Sequence, residues 1–599
     1  MLENIITLGN SLESSDAILN YISIAKLGKT KSVLAIVVND NSYLGITHED
    51  KKSNVSEIRK YLYSAGPSNG ADKTPTSLIT EPDKTFNKKI LKWFEMHKNK
   101  DILLDKIHEI LISNVDQIIK DIQKEKQNIP KERDQNVLLT IKIQNETEEA
   151  FIGQNNKVIE ILKSQFEYDT NTDTVQQVIL QCLFCNQNKE MIPGKLKISD
   201  IFSFSTFDKK GFLYNFDESN KNKQIPMCND CYINLKRGKE WLDKYTYFNF
   251  EGYKYYLIPS INDYSQNQST FKDFVKLAEK YQSAKTEKKQ QNLQYENGLM
   301  QEEEDLLESM VKDGFTLTLE FLFVSLKGGG KYMDIERHIE DVPLTWIRKI
   351  YNVYKDILDL QIFNENSMKN IVGQKWEGPL RNKKREMYLA ALIKFFFPPD
   401  SLDIEFLTVI SNILQGRSIN SNVMYRAFLR KIRKEIFEHY FLAKINTIKS
   451  FVLFLILKRL KLITYSSSNS INHMSSYEKE LFSDNDSIKD FEQVLDSDGK
   501  KAVFYEGVLT GKLLSIQYAN RSSTPFLDKL HGLHISFIDA RYLLPKIISK
   551  LREYQAAYTS IEKQIANMFI LSETSGQTLS DDESSYYFTL GMLLHSQIK

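Results

Sequence analysis

The four cysteines of the chain fall into two short units, Cys182-Leu-Phe-Cys185 and Cys228-Asn-Asp-Cys231, separated by 42 residues. A CxxC turn aims two sulfurs at one point while backbone amides support them. Two such turns complete the tetrahedral four-sulfur shell that zinc prefers, at about 2.3 Å per bond. The pattern therefore predicts a structural zinc ion held by Cys182, Cys185, Cys228 and Cys231. A closed shell leaves no position for water or substrate, so the metal is expected to clamp a fold and not to catalyse. Its binding is worth on the order of 10 kcal/mol to a lobe of this kind. The aromatic, strand-like sequence between the knuckles is longer than in a minimal zinc ribbon and marks an insertion. Two other readings stay open on spacing alone, four reduced thiols or two redox pairs.

The rest of the composition is that of a globular protein. The chain has 599 residues, 41% hydrophobic and 26% charged, enough for three or four domains. Lys and Arg number 79 against 78 Asp and Glu, so any surface for nucleic acid has to be a local patch. The start has no basic stretch followed by an apolar core, as a secretory signal would. The longest purely apolar run, Phe451 to Leu457, ends at Lys458 and Arg459, well short of the roughly 20 residues that span a bilayer. A cytoplasmic protein without a membrane partner is expected, and paired cysteines suit a metal in a reducing compartment.

Patterning along the chain predicts an α+β protein. A mixed N-terminal part carries an inserted four-cysteine zinc lobe and is followed by a mainly helical C-terminal half ending in a helical bundle. The expected divisions are a mixed domain over 1–175, the zinc lobe over 176–245, a middle region over 246–464 that turns from mixed to helical, a linker over 465–500 and the bundle over 501–599. Two β-rich runs around Asn39, Asp40 and Asn41 predict a hairpin. Strands are also expected over 137–143, 253–261 and 316–326, and helices from about 87 to 126. The stretch 64–84 collects Gly, Pro, Ser and Asn without apolar periodicity and reads as an exposed loop. The charged stretch 282–307 reads as a surface helix or loop, and Ala502, Gly507 and Gly511 thin one C-terminal helix for close packing.

Two basic features are candidates for holding nucleic acid. Lys327 and Lys331 flank three glycines after a predicted strand, where backbone could approach a phosphate; a plain flexible turn explains the same residues. Arg426, Arg430 and Arg433, with Lys431 and Lys434 beside them, form a positive stripe on an amphipathic helix whose apolar side includes Phe428, Ile432 and Phe437. Such a stripe neutralises phosphates without reading sequence, and an ordinary solvated face fits it equally. The run Arg381 to Arg385 allows the same pair of readings. Catalytic signatures are missing from the sequence: it has no HExxH, GxSxG or Walker loop, and no cysteine outside the pairs.

Several stretches together resemble the large subunit of type I-B CRISPR interference (Cascade) complexes. They are the two CxxC pairs, YYLIPSI shortly after them, FLFVSLKGGGKYMDIERHIEDVPLTWIRKI from Phe321 to Ile350, the C-terminal AVFYEGVLTGKLLSIQ and STPFLDKLHGL, and the closing YYFTLGMLLHSQ from Tyr586 to Gln597. The resemblance implies a non-catalytic subunit that caps the guide-RNA end, contacts the RNA 5′ handle, recognises the short motif flanking the DNA target and helps recruit the helicase-nuclease in antiviral defence. Implied partners are guide RNA, target DNA and the backbone and small subunits. It also implies a C-terminal part similar to a small subunit, which could be made separately from an internal start such as Met424 or Met474. An alternative function is a zinc-stapled nuclease or other nucleic-acid-processing enzyme whose acidic ligands are scattered in sequence, and a third is a scaffold without a nucleic-acid surface.

Overall fold

The computed structural model describes residues 1–12, 22–23, 30–50, 59–67, 70–130, 136–144, 149–167, 179–190, 201–203, 215, 225–250, 252–260, 269, 271–280, 317–327, 332–373, 387, 389–401, 404–464, 491 and 494–598. The expected surface stretch 282–307, the turn residue Lys331, the basic run 381–385 and Met474 lie outside them. The protein is α+β, as its patterning predicts, and forms two compact units. The first comprises Met1–Phe248, Lys254–Glu287 and Glu320–His338; the second comprises Asn249–Tyr253, Lys288–Leu319 and Ile339–Lys599.

The first unit opens with helix α1 (Leu2–Ser11) and is built around strand β1 (Ser32–Val38), every residue of which is buried. Its unbroken apolar run, without polar alternation, suits a strand covered on both faces. Strand β2 (Tyr43–Asp50) returns antiparallel to β1. The turn is set by Asn39, whose side-chain oxygen accepts from the backbone N–H groups of Asn41 and Ser42, an Asx turn. After the two-residue β3 (Ser77–Leu78), helices α2 (Ile102–Ser113) and α3 (Val115–Asn128) carry the chain over to β4 (Leu138–Gln144), which lies parallel to β1. The sheet order is β2-β1-β4-β3, and β5 (Glu149–Phe151) also pairs with β4. Leu104, Ile107, Leu111, Ile118 and Ile122 recur at helical spacing and are buried in the same core as Val33, Ile36 and Leu139.

One sequence expectation holds only in part in this unit. The segment 64–84 is exposed only in part: Pro67, Thr80, Glu81, Asp83 and Lys84 face solvent, but Ser64, Asp72, Thr74, Thr76 and Ser77 are all buried. Buried polar groups need partners, and hydroxyls answer here in place of apolar periodicity. Thr76 meets Thr140 at 2.9 Å, Ser64 N–H donates to Thr74 Oγ1 at 3.2 Å, and Ser77 Oγ donates to Asp72 at 2.6 Å.

A small hairpin, β6 (Ile179–Gln181) and β7 (Asn188–Glu190), precedes the long helix α4 (Asn229–Tyr245). Helix α4 packs closely on α1. A Cβ added to Gly9 would lie 1.8 Å from the Asn234 carbonyl oxygen and one on Gly238 would lie 2.1 Å from that of Ile5, so glycine alone permits the approach. The chain then enters a four-stranded sheet of order β11-β10-β9-β8, from β8 (Tyr247–Phe250), β9 (Tyr253–Ser260), β10 (Thr318–Lys327) and β11 (Tyr332–Pro343). His338 places Nε2 2.8 Å from a carboxylate oxygen of buried Glu320.

The second unit is mainly helical. Its principal helices are α5 (Leu344–Leu358), α6 (Ser421–Glu435), α7 (Tyr440–Arg459), α8 (Asp498–Arg521), α9 (Phe537–Glu553), α10 (Thr559–Thr574) and α11 (Asp581–Leu594). The apolar run 451–457 belongs to α7, which spans 20 residues. Among the described residues α7 alone is long and apolar enough to cross a membrane, and most of it is buried inside the protein. Helices α8 and α11 cross with backbones in contact, as the small residues of α8 predict: a Cβ on Gly507 would sit 2.1 Å from the Phe588 carbonyl oxygen. Beside this crossing Lys500, with no solvent exposure, meets Asp496 at 2.8 Å and Glu583 at 3.3 Å, and Lys458 meets the other oxygen of Asp496 at 2.8 Å. A buried cation is tolerated when it is paired in this way.

Candidate metal centre

The hairpin and helix α4 bring the four cysteines to one point in the first unit. Cys182 directly follows β6, and the turn through Leu183 and Phe184 to Cys185 closes with Cys182 N–H donating to the Gln187 carbonyl at 2.9 Å and Asn186 N–H donating back to the Cys182 carbonyl at 3.0 Å. Asn186 takes positive φ, +56°, which asparagine tolerates better than most residues. Cys228 is the N-cap of α4 and Cys231 lies in its first turn, where the partial positive charge of the helix end favours thiolates. Leu183 N–H donates to the Pro226 carbonyl at 2.9 Å, tying knuckle to helix entry.

The sulfurs of Cys182 and Cys231 are 3.8 Å apart, those of Cys185 and Cys228 are 3.8 Å apart, and all four lie within 4.8 Å of one another. A disulfide needs about 2.05 Å, so these are four separate thiols. A regular tetrahedron of sulfurs at about 2.3 Å from a central ion has edges of about 3.8 Å. The two cross-pair distances therefore fit a four-thiolate metal ion. Cys182, Cys228 and Cys231 are buried and Cys185 is partly exposed.

Burial and backbone amides act on these thiols in opposite senses. Burial raises the Cys182 thiol, but backbone N–H groups of Cys185, Cys228 and Phe184 outweigh it and bring its pKa down to about 7. The Cys228 N–H approaches the Cys182 sulfur at 3.4 Å. Burial pushes Cys228 and Cys231 up, and for Cys231 the neighbouring Cys228 thiolate adds to the shift. Packing several thiolates this closely is unfavourable without a positive ion between them. An ion held by Cys182, Cys185, Cys228 and Cys231 would join the hairpin to α4, and through α4 to α1. Such an ion, with four protein ligands, supplies cross-linking and has no vacant position at which to activate water.

Among the described residues, the basic ones singled out by sequence lie on other elements, Lys327 at the end of β10 and the rest on α6. Lys327 is exposed and pairs with Asp334 at 2.6 Å. On α6, Arg426 Nε lies 3.6 Å from Asp582 and Arg433 donates to the Leu533 carbonyl at 2.9 Å, with burial lowering its pKa. Arg430 and Lys434 are exposed. Lys431 lies over the Phe395 ring, 4.9 Å from its centre. Phe428 and Ile432 are buried as an apolar face should be, but Phe437 falls beyond the end of α6 and is 52% exposed. The stripe is thus split between groups turned to the protein and groups turned to solvent. Sequence reading missed a polar cavity walled by the partly buried segment 64–84, because a Gly-, Pro- and Ser-rich composition signals turns whether they are exposed or enclosed.

No curated protein is similar enough in sequence to count as a match. Family models of CRISPR-associated protein TM1802 match in three consecutive stretches, the N-terminal domain over residues 1–164, the central domain over 179–342, which contains all four cysteines, and the C-terminal domain over 387–599, so the chain belongs to that family.

Proposed function

We propose that the protein is the non-catalytic large subunit of a type I-B CRISPR surveillance complex, a cytoplasmic assembly that finds foreign nucleic acid by guide-RNA pairing. The observation that carries this is the four-thiolate cluster inside a chain matched along most of its length by one CRISPR-associated family. Four sulfurs at tetrahedral spacing suit zinc, and zinc with a filled shell does not hydrolyse phosphodiesters. In this reading sequence is read by base pairing, while the protein holds the guide-RNA 5′ end, reads a short DNA motif beside the target and helps recruit the helicase-nuclease. Its partners are guide RNA, target DNA, and the backbone and small subunits. The exposed cations Arg430 and Lys434, together with Lys327, would contribute phosphate contacts that add affinity without specificity.

The test is co-expression with the other components of the complex, followed by capture on tagged guide RNA. The expected result is retention of this chain in fixed proportion to the other subunits. Capture of every other subunit without it would overturn the assignment. Incubation of the purified chain with magnesium and labelled RNA or DNA separates the nuclease alternative: substrate is expected to remain intact, and magnesium-dependent cleavage that disappears on substituting a carboxylate of this chain would replace the proposal with an enzyme.

A further inference from the structure

The inward-folded segment 64–84 and the helical run after it wall a cavity of about 450 Å³ in the first unit, within the range of roughly 300–1,000 Å³ usual for small-molecule sites. Lys84, Lys88 and Lys89 form one side, on a continuous helical stretch through Pro82–Thr85, Phe86–Leu91 and Lys92–Met96. Asp72 is the sole carboxylate of the lining, and it is already engaged. It accepts from Gly66 N–H at 2.8 Å, from the Ser77 hydroxyl at 2.6 Å and from Lys89 at 3.3 Å, while Lys89 also donates to the Pro67 carbonyl at 2.9 Å. The floor is therefore locally neutral and held in place. Surplus positive charge at the rim comes from Lys88, exposed and with no ion pair or hydrogen bond among the described residues, while Lys84 beside it pairs with Glu81 at the surface.

A second observation points into the same space. Tyr63 lines the cavity beside these lysines and is only 3% exposed. The Tyr63 ring, Ala65 and Leu78 add apolar wall beside the hydroxyls of Thr80 and Thr85. The space is much larger than a bare phosphate needs, and its walls change from cationic rim to mixed interior as those of a site for a phosphate joined to a flat polar ring should.

We propose that this cavity binds a nucleoside monophosphate unit, with its phosphate at Lys88 and Lys84 and its nucleoside inside against Tyr63. The proposal rests on the nucleic-acid reading above for the class of ligand. A free nucleotide and the end of a single strand offer the same chemistry. Lysine meets phosphate as a point charge, so charge at the rim should matter more than its exact geometry.

The test uses the full chain and calorimetric titration with AMP, adenosine, inorganic phosphate and a short single-stranded RNA. AMP is expected to bind, adenosine and phosphate at least tenfold more weakly. Lys88→Glu, at an exposed position, should weaken AMP binding at least tenfold with an unchanged melting temperature, and Tyr63→Phe should weaken it several-fold. RNA that displaces AMP assigns the site to a strand end; RNA that leaves AMP in place assigns it to a free nucleotide. Absence of AMP binding at millimolar concentration, or equal binding by wild type and both variants, would overturn the proposal while leaving guide-RNA capture of the whole chain as the separate test of function. Failed capture with AMP binding intact would sink the functional reading and leave a free-nucleotide site.

Discussion

The sulfur atoms of Cys182 and Cys231 lie 3.8 Å apart although one follows a strand and the other occupies the first turn of a helix 49 positions later. Nothing in the local structure of either knuckle demands that closeness; an ion shared by the four sulfurs would account for it. One zinc per chain is expected from elemental analysis of protein purified without chelator. Because binding in such sites is worth on the order of 10 kcal/mol, Cys231→Ser should both empty the site and cost several kcal/mol, read as a lower thermal midpoint. Metal-free protein that melts as the loaded protein does would count against the centre.

A second close approach carries no metal. A Cβ on Gly591 would fall 1.9 Å from the Phe504 carbonyl oxygen, and one on Gly507 would fall 2.1 Å from that of Phe588. Both obstacles are backbone, so a side chain can be admitted only by moving α8 away from α11. Overpacking of a tight core costs about 1–3 kcal/mol, and Gly591→Ala should reach at least the upper part of that range in urea unfolding of the full chain. A loss below about 0.5 kcal/mol would show that the helices can separate freely.

These two sites also show what sequence made legible. Two CxxC units made the four-cysteine cluster legible because the geometry of each knuckle is local, and small residues at helical spacing in α8 announce a close neighbour without naming it. The partner glycine, Gly591, and its reciprocal fit could not be read, since pairing between distant helices leaves no local mark. The segment 64–84 misled for a related reason: its burial rests on Asp72, Thr74, Thr76 and Ser77 finding partners, and composition reports polarity without reporting satisfaction. On α6, spacing correctly placed the cations on one helix, but Arg433 turns to the Leu533 carbonyl, a contact set by a residue 100 positions away.

That split on α6 predicts unequal effects of substitution. Arg430 and Lys434 are exposed and Arg433 is held by the protein. Arg430→Glu combined with Lys434→Glu should weaken RNA binding by the chain about equally for all sequences and reduce the slope of log affinity against log salt by roughly 1 per lost phosphate contact. Melting temperature should stay nearly constant. Filter binding over a salt series reads both quantities, and an unchanged slope would remove α6 from the nucleic-acid surface.

Glu506, in the middle of α8, is fully buried and neither carboxylate oxygen has a hydrogen-bond partner among the described residues. Burial raises its pKa well above the ordinary carboxylate value, so the folded protein keeps the proton at a pH where the unfolded chain has released it. The native state then binds more protons than the unfolded state, and stability must fall as pH rises from the unfolded pKa towards the folded one, by about 1.4 kcal/mol per pH unit at the steepest. Asp496 acts in the opposite sense: burial raises its pKa, but Lys500 and Lys458 outweigh this and hold it below the usual value, so its contribution is lost only as pH drops into the acid range. Glu506→Gln removes the first effect and leaves the second. The variant should therefore be more stable than wild type at neutral and mildly alkaline pH, and the difference should shrink towards zero below the ordinary carboxylate pKa. Urea midpoints measured across that range decide it, because a carboxylate that ionised within the fold would give wild type and Glu506→Gln parallel curves.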